Sequence, residues 1–292
     1  MNSLDWWELD PNQTIKPLDF GHSGITGSVD PHGRLIALNT YHDQVGYITL
    51  TTADPFPEDR RYDPSAVRAY RAALARLDGF GPRLTVTQSE AALLEHAIPS
   101  IRLTTENGAR ITSTTIGTSS GAVQRWQSDQ PLRFQGRLSL QRCAYTQLTE
   151  GGPVEMPPVI THATFADGTL TIENPALQRT VTITGFAPGD SWERRTAGPI
   201  DLDLWLPPDA TLTYTFGDHA ADPRPFDELL ASERQRWSSL AQAPDRLTRR
   251  GLLYGLLLAV PVGDSICILT DHMLLPLAWN RDAYYVARTF LS

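Results

Sequence analysis

The segment "IRLTTENGARITSTTIGT" (residues 101–118) decides the fold class of this chain. Asn107 and Gly108 stand between two runs of alternating, β-branched residues, and an Asn-Gly pair in that position is the strongest short signal for a β-hairpin. Runs of the same kind recur on both sides, separated by the turn-forming residues Gly, Pro, Asp and Asn. They lie at 33–42, 45–52, 83–89, 121–128, 132–148, 168–175, 178–186, 200–208 and 210–217.

The number and spacing of these runs predict the architecture of the first and larger part of the chain. About ten or more short strands with frequent turns are typical of a large antiparallel β-sandwich, a supersandwich, rather than of a parallel sheet. One helix is expected to interrupt them at 63–79, because Asp63 can cap it, Pro64 suits its first turn and Gly79 ends it. We therefore expect a mainly β domain over residues 1–220.

The residues after about 218 have a helical pattern instead. Apolar residues recur with helical spacing over 225–243, which predicts an amphipathic linker helix. A second helix is expected from Asp245 to Val260, and because it is almost wholly apolar from Leu252 onward, it should be buried on every side. A third helix is expected from about Pro276 to the last residue. The predicted units are thus a linker helix at 221–244 and further helices at 245–292.

The composition and charge exclude several classes of function. Of the 292 residues, 41% are hydrophobic and 20% are charged, as in ordinary globular proteins, and the net charge is −8. Since no basic patch is available to neutralise phosphates, we expect neither nucleic acid nor an anionic membrane as a partner. The longest apolar run, 251–263, is shorter than the roughly 18 residues that a membrane helix needs. The N-terminus lacks the basic start and apolar core of a signal peptide, so a cytoplasmic protein is expected.

The segment "PLAWNRDAYYVARTFLS" (residues 276–292) places a Trp, an Arg and an Asp in apolar surroundings. On a helix, Trp279 and Asp282 are three residues apart and share a face, and Arg281 lies beside that face. An aromatic platform next to a hydrogen-bond acceptor suits a sugar ring, whose faces are apolar and whose rim carries hydroxyl groups. The alternative is that Arg281 and Asp282 are separately satisfied by structural ion pairs or helix caps.

This segment resembles the Trp-x-Arg-Asp segment near the start of the catalytic barrel in glucoamylase-type glycosidases. Related segments occur in other (α/α)6-barrel glycosidases, including the glycogen-debranching, trehalase and rhamnosidase types. In those families an N-terminal β-supersandwich precedes a helical linker and then a six-hairpin helical barrel. The predicted order here is similar: strands to residue 217, a linker helix at 225–243, a buried helix at 246–260, and then the helix with Trp-x-Arg-Asp.

The resemblance implies a role for each residue of the motif. Arg281 and Asp282 would bind hydroxyl groups of the sugar in the −1 subsite, and Trp279 would line its pocket. Hydrolysis also needs a carboxylic acid to protonate the leaving oxygen and a carboxylate to activate water. In inverting enzymes of this type both come from barrel helices downstream of the motif. The chain is therefore expected to hold no catalytic residue and to be incomplete as an enzyme, and no cofactor is implied.

Other ionisable residues give weaker signals for catalysis or metal binding. Asp271 and His272 could act as an acid and a base, but an Asp before a helix is more often a cap. Cys143, Cys267 and the seven histidines lack metal-ligand spacing, so no metal site is expected. The other acids that could be catalytic are equally well interpreted as solvated surface charge. They are Asp264, Glu90 with Glu95, and Asp201 with Asp203.

Two functions are consistent with these observations. The first is the N-terminal portion of an enzyme that hydrolyses glycosidic bonds, which we expect to be α-glucosidic and cleaved with inversion. The second is a non-catalytic β-sandwich that binds carbohydrate or acts as a scaffold, with its helices docked on a partner chain. The expected partners are a carbohydrate, the remainder of the barrel or a partner subunit, and a second copy of the chain through exposed apolar helices. Sedimentation of the purified protein tests this self-association.

Overall fold

A computed structural model describes residues 6–9, 18–42, 46–55, 63–74, 76–142, 158–217, 219–240, 245–262 and 265–268. This part is mainly β, with large antiparallel sheets, which confirms the predicted fold class. The strands are β1 (Trp7–Leu9), β2 (Leu18–His22), β3 (Ile25–Val29), β4 (Leu35–His42), β5 (Gly46–Thr51), β6 (Gly81–Pro82), β7 (Val86–Leu94), β8 (Ile98–Thr105), β9 (Arg110–Thr118), β10 (Gly121–Gln127), β11 (Leu132–Arg142), β12 (Ile160–Ala166), β13 (Thr169–Asn174), β14 (Arg179–Thr184), β15 (Trp192–Ala197), β16 (Ile200–Leu206), β17 (Ala210–Phe216), β18 (Ala259–Val262) and β19 (Ser265–Ile268). The helices are α1 (Pro64–Leu74), α2 (Phe226–Leu240) and α3 (Arg246–Leu257).

Two sheets hold all of these strands except the last two. The first has ten strands in the order β1-β7-β8-β9-β10-β17-β14-β13-β12-β15. The second has seven, in the order β16-β11-β5-β4-β3-β2, with β6 paired to β11 off this path. Strand β11 is long enough to pair with three strands. Its residues 132–138 pair with β16, its residues 139–142 pair with β5, and Phe134 and Gln135 pair with β6.

The main hydrophobic core lies between the two sheets, because each strand turns alternate residues inward. A cluster of aromatic rings joins the sheets within it. Phe134 of β11 and Trp126 of β10 meet edge to face with their ring centroids 5.5 Å apart. Phe80 and Phe186 pack against Phe134 at 5.7 and 5.9 Å. The side chains of Phe134, Trp126 and Phe80 are fully buried.

The hairpin expected at Asn107 and Gly108 is confirmed. Strands β8 and β9 pair with Thr104 opposite Arg110. The amide of Gly108 donates to the carbonyl of Thr105 at 2.9 Å. Gly108 has φ +80°, a left-handed value that glycine adopts without strain.

The helix predicted at 63–79 is present as α1, which is shorter and ends at Leu74. Its expected cap is confirmed, since the carboxylate of Asp63 accepts from the amide of Ser65 at 2.8 Å. Helix α3 is capped in the same way by Asp245, which accepts from the amide of Thr248 at 2.9 Å. The hydroxyl and amide of Thr248 hold the pKa of Asp245 below its ordinary value, because they stabilise the carboxylate.

Helices α2 and α3 cover the outer face of strands β7 to β10 in the ten-stranded sheet. Between them and the sheet lies a second apolar core, which we call the helix cluster. Within the described part of the chain, these helices contact the sandwich. The buried members of the helix cluster are Leu94, Ala97, Ile98, Ile116 and Val123 from the sandwich, and Phe226, Leu229, Trp237, Leu253 and Leu257 from the helices.

Two expectations for the last described residues are wrong. Helix α3 ends at Leu257 rather than Val260, and the residues that follow it form the antiparallel hairpin β18–β19. Pro261 cannot continue a helix, and the neighbouring valines favour a strand. Nor is the apolar part of α3 buried on every side, because Leu252 and Leu256 are only half-buried. The expected third helix lies outside the described residues.

Candidate functional site

The residues expected to bind sugar, Trp279, Arg281 and Asp282, lie outside the residues that the structure describes. Asp264, and Asp271 with His272, lie outside them too. The roles given to these residues stay predictions. A candidate site within the described part of the chain is therefore formed by other residues.

One pair of acids, Glu90 and Glu95, is held by arginines. Glu95 accepts from Arg234 of α2 at 3.0 Å. Glu90 lies 3.9 Å from Arg102 on the neighbouring strand β8. Both acids thus have basic partners, which agrees with their interpretation as surface charge.

Strand β16 carries a tryptophan on its solvent-facing side. The strand alternates between buried and exposed residues along its whole length. Asp201, Asp203 and Trp205 occupy the exposed positions, and Trp205 is 52% exposed. From the sequence, the two aspartates are interpreted as surface charge, and Trp205 is not among the predicted site residues. The signal was present, because the period-two alternation of residues 200–206 places all three side chains on one face.

Polar side chains of β11 lie beside Trp205. In the strand register, Trp205 is opposite Arg133 and Asp203 is opposite Gln135. Asp203 accepts from Nε of Arg133 at 2.9 Å and from Nε2 of Gln135 at 3.1 Å. The hydrogen bond from Arg133 holds the pKa of Asp203 below its ordinary value, so the carboxylate is ionised and fixed. We call these four residues the β11–β16 face.

The next charges along β11 are also paired. Arg137 donates to both carboxylate oxygens of Asp54, at 2.9 and 3.1 Å. Such two-pronged contacts fix the orientation of both groups. Together with the pair between Arg133 and Asp203, this gives two cations and two anions on neighbouring positions. With Asp201, which is exposed on the same face, the surface around Trp205 carries three anions and two cations, and both cations are paired.

A cleft of about 380 Å³ lies at the start of β11, between the β8–β9 turn and residues 128–132. Leu132, the residue before Arg133, lines the cleft, and so does Arg83. The amide of Arg83 donates to the carbonyl of Arg133 at 3.2 Å, which ties the cleft wall to β11. The lining combines neutral hydrogen-bonding side chains with charged ones: Thr85, Asn107, Ser128 and Gln130 are neutral, and Arg83, Glu106, Arg110 and Asp129 are charged.

Further from β16, the same outer face of the seven-stranded sheet is polar but buried. The hydroxyl groups of Thr26 and Tyr47 lie 2.7 Å apart, and Asn39 donates to Thr26 at 3.3 Å. Gln141 donates to the carbonyl of Ala53 at 3.1 Å. Buried polar groups that are satisfied in this way make a sheet rigid. The exposed β11–β16 face is therefore part of a rigid sheet.

A polar contact joins α2 to the sandwich at the rim of the helix cluster. Glu233 of α2 is buried, and its Oε1 lies 2.9 Å from Nδ1 of His22 on β2. Arg236 donates to the other carboxylate oxygen at 3.4 Å. Nearby, burial and then the charge of Arg249 lower the pKa of His96. Because these groups lie where helices meet the sheet, we assign them a structural role.

His162 is placed between two carboxylates on the outer face of the ten-stranded sheet. Its Nε2 lies 2.8 Å from Glu193, and its Nδ1 lies 3.3 Å from Glu173. Hydrogen bonds to Glu193 and then to Glu173 raise the pKa of His162 above 6.5, because they favour the imidazolium. With Arg194 and Arg195, the group borders an open cavity of about 550 Å³.

We expect the titration of His162, followed by NMR of its ring protons, to have a midpoint above 6.5. The change Glu193→Gln should lower this midpoint, since Glu193 makes the larger contribution, and Glu90→Gln on a distant strand should not. Because the folded pKa is raised, the contact contributes to stability below the unfolded pKa of about 6.5 and this contribution is lost as the pH rises through the folded pKa. A midpoint at or below the unfolded value would contradict the assignment.

Among the described residues, no group of three or more His, Cys, Asp or Glu side chains could hold a metal ion. The described helices include none that is both long and apolar enough to cross a bilayer.

No protein-family model matches this chain, and no curated protein matches it. Eleven chains of solved structures do match. One of them, from the work named "Crystal Structure Analysis of HI1317", is 9% identical in sequence, with a TM-score of 0.33. The match covers 73% of this chain and 100% of that one. At this level of similarity it carries no argument about function.

Proposed function

We propose that this chain is the N-terminal portion of a carbohydrate-active enzyme of the (α/α)6-barrel type. The enzyme hydrolyses glycosidic bonds, α-glucosidic ones with inversion, and this portion is catalytically incomplete by itself. Trp279, Arg281 and Asp282 hold a sugar ring, and the acid and the base are supplied by barrel helices. Its partners are the carbohydrate and the remaining barrel or a partner subunit, and apolar helix surface favours self-association.

The observation that carries this proposal is the order and docking of the elements. The large antiparallel sheets are followed in the chain by α2 and α3. Both helices pack on the sandwich through the helix cluster. This order supports the proposal because a helical barrel built after a supersandwich needs such an anchored linker. The hairpin β18–β19 departs from the expected order, since it separates α3 from the Trp-x-Arg-Asp segment.

The sugar pocket is tested by calorimetric titration of residues 1–292 with deoxynojirimycin, a protonated mimic of glucose. We expect weak binding that Asp282→Asn reduces at least about tenfold, because a carboxylate beside a bound cation forms a charge-assisted hydrogen bond. The control Asp264→Asn should bind as the unchanged protein does. We also expect no turnover of maltose, trehalose or aryl glycosides. Equal binding by the Asp282 variant would contradict the assigned pocket, and turnover would contradict the incompleteness.

The second candidate is a non-catalytic sandwich that binds carbohydrate or acts as a scaffold. The exposed Trp205 beside fixed polar groups favours it, because this surface needs no barrel to be complete. It predicts glycan binding that is independent of Asp282. The two candidates therefore differ in which substitution removes binding.

A further inference from the structure

We propose that the β11–β16 face binds a neutral glycan, in a site separate from Trp279, Arg281 and Asp282. The inference rests on the proposed function for the class of ligand, a glucan chain, and on the described residues for the site. Trp205 stacks on one sugar ring, and Asp203 accepts hydrogen bonds from its hydroxyl groups.

Trp205 has the exposure that stacking on a sugar requires, and it lies on the solvent-facing side of β16. At 52% exposure it is a large apolar side chain on the polar side of an alternating strand, where a charged residue would serve solubility better. An exposed tryptophan suits a binding surface, because its ring is apolar and its Nε1 donates a hydrogen bond. The two faces of a pyranose ring carry C–H groups that match such a surface.

The polar groups beside Trp205 are already oriented. Asp203 is held by Arg133 and Gln135, at 2.9 and 3.1 Å, and it stays ionised. A carboxylate has lone pairs for more acceptor contacts than these, so it can also accept from a sugar hydroxyl group. Because the side chains are fixed before binding, little conformational entropy is lost when the ligand arrives.

The charges on this face favour a neutral ligand over an anionic one, because both arginines are paired and Asp201 adds a further exposed acid. Arg133 is paired with Asp203, and Arg137 is paired with Asp54. A phosphate or a nucleic acid would need unpaired cations here, since neutralisation of phosphates supplies most of such affinity. A sugar needs only donors and acceptors, and paired side chains provide both.

The backbone of β16 disfavours a protein strand as the ligand. Although β16 ends the path of its sheet, the carbonyl of Trp205 accepts from the amide of Ala187 at 2.8 Å. Strand addition uses free backbone groups at a sheet edge, and at this position the group is occupied. The accessible surface around Trp205 is thus one of side chains.

The site is tested by affinity electrophoresis and calorimetry of residues 1–292 with maltoheptaose. We expect Trp205→Ala to weaken binding at least about tenfold and Trp205→Phe to weaken it less, because a smaller ring retains part of the stacking. Leu247→Ala is the matched control, since Leu247 is 80% exposed on α3 and should leave the affinity unchanged. Thermal melts should agree among the variants, because both changed side chains are exposed.

Binding that Trp205→Ala leaves unchanged would overturn the site, and so would an absence of maltoheptaose binding. Equal weakening by Leu247→Ala would overturn it too, because the effect would then belong to apolar surface in general. Trp279→Ala, tested in parallel, separates this inference from the proposed pocket. A loss with Trp279→Ala alone refutes the site at Trp205 and leaves the pocket standing, whereas a loss with Trp205→Ala alone supports the site and contradicts the pocket.

Discussion

Replacing Trp237 with alanine is expected to release α2 and α3 from the sandwich while the two sheets stay folded. Trp237 is 2% exposed and is the largest side chain of the helix cluster. Truncation of a buried Trp removes apolar contacts and leaves a cavity, at a loss of about 3–5 kcal/mol. The sheets keep their own core, because the residues of the main core and the helix cluster are different.

Hydrogen exchange followed by mass spectrometry measures this effect locally. In Trp237→Ala we expect amides of α2 and α3 to exchange roughly a hundred- to several-thousand-fold faster, the ratio that corresponds to about 3–5 kcal/mol. Amides of β12, β13 and β14 should be unaffected. The control is Leu240→Ala in the same helix, because Leu240 is 43% exposed. Faster exchange throughout both sheets would show instead that helices and sandwich unfold as one unit.

Replacing Phe134 with alanine is expected to lower the free energy of unfolding of the sandwich by about 3–5 kcal/mol. Phe134 is fully buried and contacts Trp126 across the gap between the sheets. It also packs edge to face on Phe80 and Phe186. Its loss therefore removes ring contacts of three partners at the point where both sheets meet.

Denaturant unfolding followed by circular dichroism at a β-sheet wavelength measures the change. The matched control is Arg137→Ala, three residues further along the same strand. Arg137 is exposed, and its pair with Asp54 should contribute about 1 kcal/mol or less. If Phe134→Ala cost no more stability than this control, the aromatic cluster would not be the centre of the core.

The local parts of the fold could be predicted from the sequence, because their causes are local. Asn107 and Gly108 favour one kind of turn whatever lies elsewhere in the chain, and Asp63 and Asp245 cap the helices that follow them. The end of α3 has a different cause. An apolar run fits a buried helix or a strand equally well, and here the pairing of β18 with β19 decides between them.

The pairing of distant strands could not be predicted from sequence patterns, because it also depends on tertiary contacts. Gly121 of β10 lies opposite Thr215 of β17, far along the chain, and only the packing of the complete core selects that neighbour. The candidate site could be predicted only in part. Trp205 could have been placed on the exposed face by alternation alone, but its position opposite Arg133 required the register of β16 on β11.

Mutations in the seven residues of β16 have two kinds of consequence, which alternate along the strand. Mutations at 200, 202, 204 and 206 are screened by folding, because those side chains are buried. Mutations at 201, 203 and 205 change the surface at a smaller cost to folding, because those side chains reach solvent. Substitutions at every second position can therefore change the exposed surface while the buried face of the strand stays the same. The exposed face of β16 can vary in sequence while its buried face stays constant.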